Sequence, residues 1–186
     1  MLKLVTKSWL ENFYYKPRIT LEELEEHKDG LIVFSGCLSG MICQMIKDKE
    51  SDKAIIKELR RWDNIFDDFY IEVSPLSFPE GKAVMAELYR FAQITKIPMV
   101  ATTDCHYVCK EHSHVHEVLL CVQTVTTWDN PKRWKFDQDD FYLKTRKEME
   151  DSFEKIFPDL DFTKALDNTV KIAAGVDFTF PKATPL

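Results

Sequence analysis

Thiolate, carboxylate and imidazole are the ligands a zinc-like ion takes most readily. This chain offers them in three short stretches: SGC at Cys37, YIEVS at Glu72, and TTDCH at Asp104 and His106. Asp104 and His106 are one residue apart, so in an extended strand end both side chains project to the same side and can share a metal, while Cys105 points away. A DxH pair is weak by itself, because aspartate also forms turns and caps, and histidine also sits hydrogen-bonded in cores. The segment VATTDCHYVCKEHSHVHE goes on to His112, His114 and His116, and holds four of the five histidines. His112 and His116 share a helical face, but the acid of an HExxH pattern is missing, so these three read as helix surface. Cys37 has a plainer reading as a small apolar residue after a strand, and Cys43, Cys109 and Cys121 are assigned to that class.

Such ligands work together only if secondary structure brings them to one place. GLIVFSG, a short apolar run between glycines, predicts a strand at 31–34 buried on both faces, followed by a helix in LSGMICQMI. Before it, residues 1–16 read as irregular or a short helix, and Thr20 opens a helix in ITLEELEEHKDG that stops at Gly30. Ala54, Ile55, Leu59 and Trp62 form one helical stripe. DDFYIEV is rich in β-formers, Pro79 opens a helix in PEGKAVMAELYRFAQITK, and IPMVATTD predicts a third strand. Strands alternating with helices imply parallel pairing with right-handed crossovers. In parallel α/β folds functional side chains gather at the carboxyl ends of the strands, which brings Cys37, Glu72, Asp104 and His106 toward one pocket.

Past residue 110 the pattern changes. HVHEVLLCVQTV reads as helix, WDNPKRW breaks it, and DFYLKT is a brief β-like run. Thr145 caps RKEMEDSFEKIF with Glu148 at the capping-box position, and a last helix covers roughly 161–175. The alternation fades near residue 125, which predicts a barrel-like part followed by a helical extension.

Composition narrows the function classes. With 186 residues, 45% of them hydrophobic and 30% charged, the chain has the makeup of a packed globular protein rather than a disordered one. A net charge of -6 argues against a generic nucleic-acid surface, although YYKPR at 14–18 and PKRWK at 131–135 are local basic runs that either meet phosphate or form solvated loops. No apolar run approaches the roughly 20 residues of a membrane span, and the N-terminus lacks a secretory pattern, so a cytoplasmic location is expected. Five cysteines without a CxxC pair read as free thiols.

FYYKPRIT, GLIVFSGCLSG, FYIEV, IPMVATTDCHYV, HEVLLCVQT and FDQDDFYLKTRKEM occur in an order and at separations that resemble the N-terminal polymerase-and-histidinol-phosphatase (PHP) domain of bacterial replicative polymerase III alpha subunits. The resemblance covers nearly the whole chain. It implies an α/β fold: a partial, distorted (βα)7 TIM-like barrel over 1–125 and an extension over 126–186 leading toward the polymerase palm. It implies metal ligands at Cys37, Asp104 and His106, for a divalent ion of zinc or manganese type in the complete domain. The family's opening HxHxxxSxxDG motif is absent here, so the chain is expected to begin inside the domain and to be inactive alone. The family's 3′-to-5′ exonuclease or structural roles, its DNA polymerase chemistry, and its partners, DNA and other replicase subunits, are expected of the parent. Exposed barrel edges are expected to favour self-association. Met41, Val125 and Thr126, and the SPLSF loop depart from the family pattern. A non-catalytic scaffold and a stand-alone phosphoesterase are the competing readings, and the missing HxH weighs most against the second.

Overall fold

The computed structural model describes residues 1–136 and 138–179. Its centre is a parallel sheet of β1 (Ile32–Phe34), β2 (Asp68–Val73) and β3 (Met99–Ala101) in the order β1-β2-β3. Val33 stands opposite Phe69, and Glu72 opposite Val100. Helices fill the connections, as parallel pairing requires. α1 (Leu2–Leu10) and α2 (Leu21–Glu25) come before the sheet, α3 (Met41–Lys47) and α4 (Asp52–Ile65) join β1 to β2, and α5 (Pro79–Thr95) joins β2 to β3. Pro79 starts α5 where its missing N–H costs nothing. Val84, Leu88, Phe91 and Ala92 then fall on one stripe and are buried.

A 3-10 turn at Lys110–His112 leads into α6 (Ser113–Gln123), and α7 (Arg146–Ile156) and α8 (Thr163–Gly175) complete the described fold. α8 lies against β3, where the Asn168 amide donates to the Met99 carbonyl at 2.7 Å. Phe153 and Phe162 stack with ring centroids 4.4 Å apart. One apolar core runs from Ile42 through the sheet and α5 to Phe141, Phe153 and Leu166. No helix of the described residues is long and apolar enough to cross a membrane.

The local signals held where short-range chemistry decides them. Thr20 and Thr145 both make complete capping boxes, with Glu23 and Glu148. Four expectations are corrected. β1 is not buried on both faces: Ile32 and Phe34, which share one face, are 38% and 37% exposed, because an apolar run does not say what covers each face of a strand. α2 stops at Glu25 rather than near Gly30, since it buries no residue that would extend it. The third strand ends at Ala101, and Asp104 takes a left-handed φ of +48° that an extended chain cannot continue through. DFYLKT forms only a single bridge, Tyr107 to Tyr142.

Candidate metal centre

The turn after β1 needs two glycines for different reasons. Gly36 sits at φ +87°, and a Cβ on Gly40 would lie 2.9 Å from both the Ser35 and Cys37 carbonyl oxygens. The Gly40 N–H closes the turn onto the Cys37 carbonyl at 2.7 Å. This leaves the Cys37 thiol exposed at the wall of a cavity of about 220 Å³ that Glu72, Ser74, Asp104, Trp134 and Phe141 also line. Cys43, one helical turn into α3, is buried instead. Burial pushes its thiol up to about 12, with Cys37 and Glu72 adding to the shift, so it stays protonated.

β2 and β3 carry a hydroxyl relay to that cavity. The Thr102 hydroxyl donates to Glu72 Oε1 at 2.7 Å, and Ser74 Oγ lies 2.9 Å from the same Thr102 oxygen. Because the only Thr102 hydroxyl hydrogen is committed to the carboxylate, Ser74 is the donor in the second bond. Ser35 Oγ accepts the Glu72 backbone N–H at 2.9 Å, which ties the end of β1 to β2. Glu72 is thereby fixed in orientation. The sequence showed Glu72 at a strand end, but the relay depends on the register of β2 against β3 and on no local pattern.

Asp104 and His106 do come together: His106 Nε2 is 3.4 Å from Asp104 Oδ1. Since Asp104 lies beyond the strand in a left-handed conformation, the pairing does not arise from side-chain alternation. The His106 backbone N–H donates to the Phe141 carbonyl at 2.8 Å, and its ring packs among Phe136 at 4.8 Å, His116 at 5.2 Å and Phe141 at 5.5 Å. His112 and His114 are exposed, as expected of helix surface, whereas His116 is half-buried. Burial, and then the neighbouring His106, lower its pKa. The signal for His116 was its place four residues before the buried Leu120, on the inward side of α6.

Cys37, Glu72 and Asp104 thus share one cavity, while the His106 ring turns into an aromatic cluster. Among the described residues no three His, Cys, Asp or Glu side chains converge tightly enough to hold a metal ion. A cavity of about 500 Å³ also borders Glu72 and Asp104, with Thr102, Lys144 and Arg146 in its wall. The Lys144 side chain is 1% exposed and held by Asp140, with its Nζ 3.2 Å from Oδ1 and 4.5 Å from the Tyr142 ring centre.

Comparison with known proteins gives these features a context. Residues 1–75 match the PHP domain family. The DNA polymerase III subunit alpha of Thermus aquaticus is 43% identical over 183 residues, which is 97% of this chain and 15% of that protein. The alpha subunit of Deinococcus radiodurans is 37% identical over 182 residues, 97% of this chain and 13% of its own length. That of Treponema pallidum is 34% identical over 188 residues, covering 100% of this chain and 16% of the relative. The chain thus spans only a small part of the curated relatives it matches. Its first 75 residues match the PHP domain family, and the chain as a whole is similar to a segment of bacterial DNA polymerase III alpha subunits.

Proposed function

We propose that these 186 residues work as part of a replicative DNA-directed DNA polymerase, in the PHP region of its alpha subunit, and carry no chemistry of their own. The relationship over nearly the full chain to alpha subunits is the observation that carries the reading. On this reading the parallel sheet belongs to a distorted (βα)7 barrel, with residues 1–125 its partial barrel and residues 126–186 an extension toward the palm; residues 180–186 lie outside those the structure describes. Nucleotidyl transfer then belongs to acidic residues elsewhere in the parent. DNA and other replicase subunits are its partners, in the cytoplasm, and the bare edge of β1 is where chains would self-associate.

Cys37, Asp104 and His106 are on this reading ligands of a divalent ion, of zinc or manganese type, in the complete domain. The packing of the His106 ring among Phe136, Phe141 and His116 favours a structural role for this segment, since a two-metal hydrolytic site requires all its ligands fixed at once. Elemental analysis of the purified chain tests this. Well under one zinc or manganese per chain is expected, together with no phosphodiesterase activity that responds to Asp104→Ala. One or more tightly held metals per chain, with phosphodiesterase activity abolished by Asp104→Ala, would sink the proposal.

A further inference from the structure

Residues 13–20 are exposed without exception, yet they include Phe13, Tyr14, Tyr15 and Ile19. A flexible polar loop would not look like this. The Tyr14 N–H donates to the Lys16 carbonyl at 3.1 Å, making a tight turn with Tyr15 at its tip in a left-handed φ of +59° and 82% exposed. Both ends of the segment are clamped by one carboxylate. Glu23 accepts from the Asn12 amide at 2.8 and 2.9 Å, from the Thr20 backbone N–H at 2.8 Å, and pairs with Lys7 at 2.7 Å. The turn is therefore held in a shape that keeps its rings in water.

Those rings are ordered with respect to one another and to cations. Trp9 and Phe13 stack with centroids 5.5 Å apart and planes 22° from parallel, and both remain at least half exposed. Tyr14 and Tyr15 meet edge-on at 4.6 Å, and the Arg18 guanidinium lies 5.0 Å from the Tyr14 ring centre. Over residues 1–19 the sequence has Lys3, Lys7, Lys16 and Arg18 against the single acid Glu11. Of these cations only Lys7 is paired with a carboxylate among the described residues. The acids of α2 begin at Glu22, and Glu23 is taken up by the clamp. In the other basic run, at 131–135, Arg133 is already paired with Glu117 at 3.0 Å and lies 4.3 Å from the Trp128 ring centre, which leaves Lys132 and Lys135 as its cations without a carboxylate among the described residues.

We infer that residues 12–20 and the exposed face of α1 form a binding surface for single-stranded nucleic acid, with bases stacked on Tyr14, Tyr15 and the Trp9–Phe13 pair and backbone phosphates met by Lys16 and Arg18. Any base has a π face and any linkage a phosphate, so alternating exposed rings and free cations suit a strand without reading its sequence. An apolar protein partner would use the rings but leave Lys16 and Arg18 without a counter-charge. The inference stands on this surface alone, so its failure would leave the polymerase-region reading untouched.

Fluorescence anisotropy of a short labelled oligothymidylate, titrated with the 186-residue chain at low salt, tests it. Binding is expected, and Tyr14→Ala with Tyr15→Ala should weaken it about tenfold or more, because each stacked base contributes strongly. Lys16→Ala with Arg18→Ala should lower the slope of log K against log salt by about 1.4, or about 0.7 for each phosphate left without its cation. All four side chains are exposed, so circular dichroism should show both double variants folded. Absence of binding by the unaltered chain, or binding that neither double variant changes, overturns the inference. So does sedimentation showing that the tyrosines hold two chains together while oligonucleotide binding is indifferent to them.

Discussion

Replacing Thr102 by valine keeps the side-chain shape and removes one hydroxyl, which makes the relay beneath Glu72 measurable. The variant deletes the 2.7 Å bond to the Glu72 carboxylate and the acceptor for the buried Ser74 hydroxyl at 2.9 Å. A hydrogen bond to a charged group contributes about 1.5–3 kcal/mol and a neutral one about 1 kcal/mol. Glu72 lines two cavities and can recover part of its loss from water, so the first figure belongs at its lower end. The expected cost is then about 2–3 kcal/mol, or roughly 5–10 °C in Tm for a chain of this size. Thr102→Ser keeps the donor and gives up only a methyl, so it should cost less than half as much. Urea denaturation followed by circular dichroism measures both, and a cycle of Thr102→Val with Glu72→Gln should show coupling of about 0.5 kcal/mol or more. A Thr102→Val variant within about 0.5 kcal/mol of the parent chain, or a Thr102→Ser variant equally destabilised, refutes the relay.

Two further outcomes follow from the same geometry. Hydrogen bonds from Lys7, Thr20 and Asn12 hold the Glu23 carboxyl down to about 2 from a usual 4.5, so its stabilising effect is complete above about 4.5 and is lost as pH falls toward 2; Glu23→Gln should differ from the parent chain by a constant amount above that window and converge with it on acidification, and a gap unchanged down to about pH 2 would show that the clamp is not electrostatic. Gly40→Ala should destabilise by about 1–3 kcal/mol, because the new methyl meets two backbone carbonyls 2.9 Å away that have no rotamer to change; an alanine variant as stable as the parent would mean that the Cys37 turn relaxes freely.

What was legible in the sequence is what short-range physics decides. A threonine three residues before a glutamate, at the head of a helical pattern, satisfies two orphan backbone donors by local contacts, so Thr20 and Thr145 could be placed without a fold. The strand–helix alternation implied parallel pairing because a tight turn cannot connect parallel strands. The burial of β1 was illegible for the opposite reason. Ile32 and Phe34 are apolar enough for a core, but their exposure depends on whether another element covers that face of the sheet, which no window of residues records. The His106 environment was out of reach in the same way, since Phe136 and Phe141 come from a segment about thirty residues on, read as a break followed by a brief β-like run, and nothing local says that it returns to His106.

The fate of the DxH pair shows how a site can be located correctly by reasoning that gets the local geometry wrong. Alternation along a strand was the warrant for joining Asp104 to His106, yet β3 ends at Ala101 and Asp104 turns left-handed. The two side chains still meet at 3.4 Å, because the turn folds His106 back while the Phe141 carbonyl anchors its N–H. A pair made by alternation would inherit the rigidity of the sheet. A pair made by a turn depends on the segment that anchors it, here the stretch that carries Phe136 and Phe141, whose aromatic rings share the core with α7 and α8. The orientation of His106 relative to Cys37 and Glu72 is therefore set by packing from the C-terminal half of the chain, and any ligand set that includes His106 must be assembled from both halves at once.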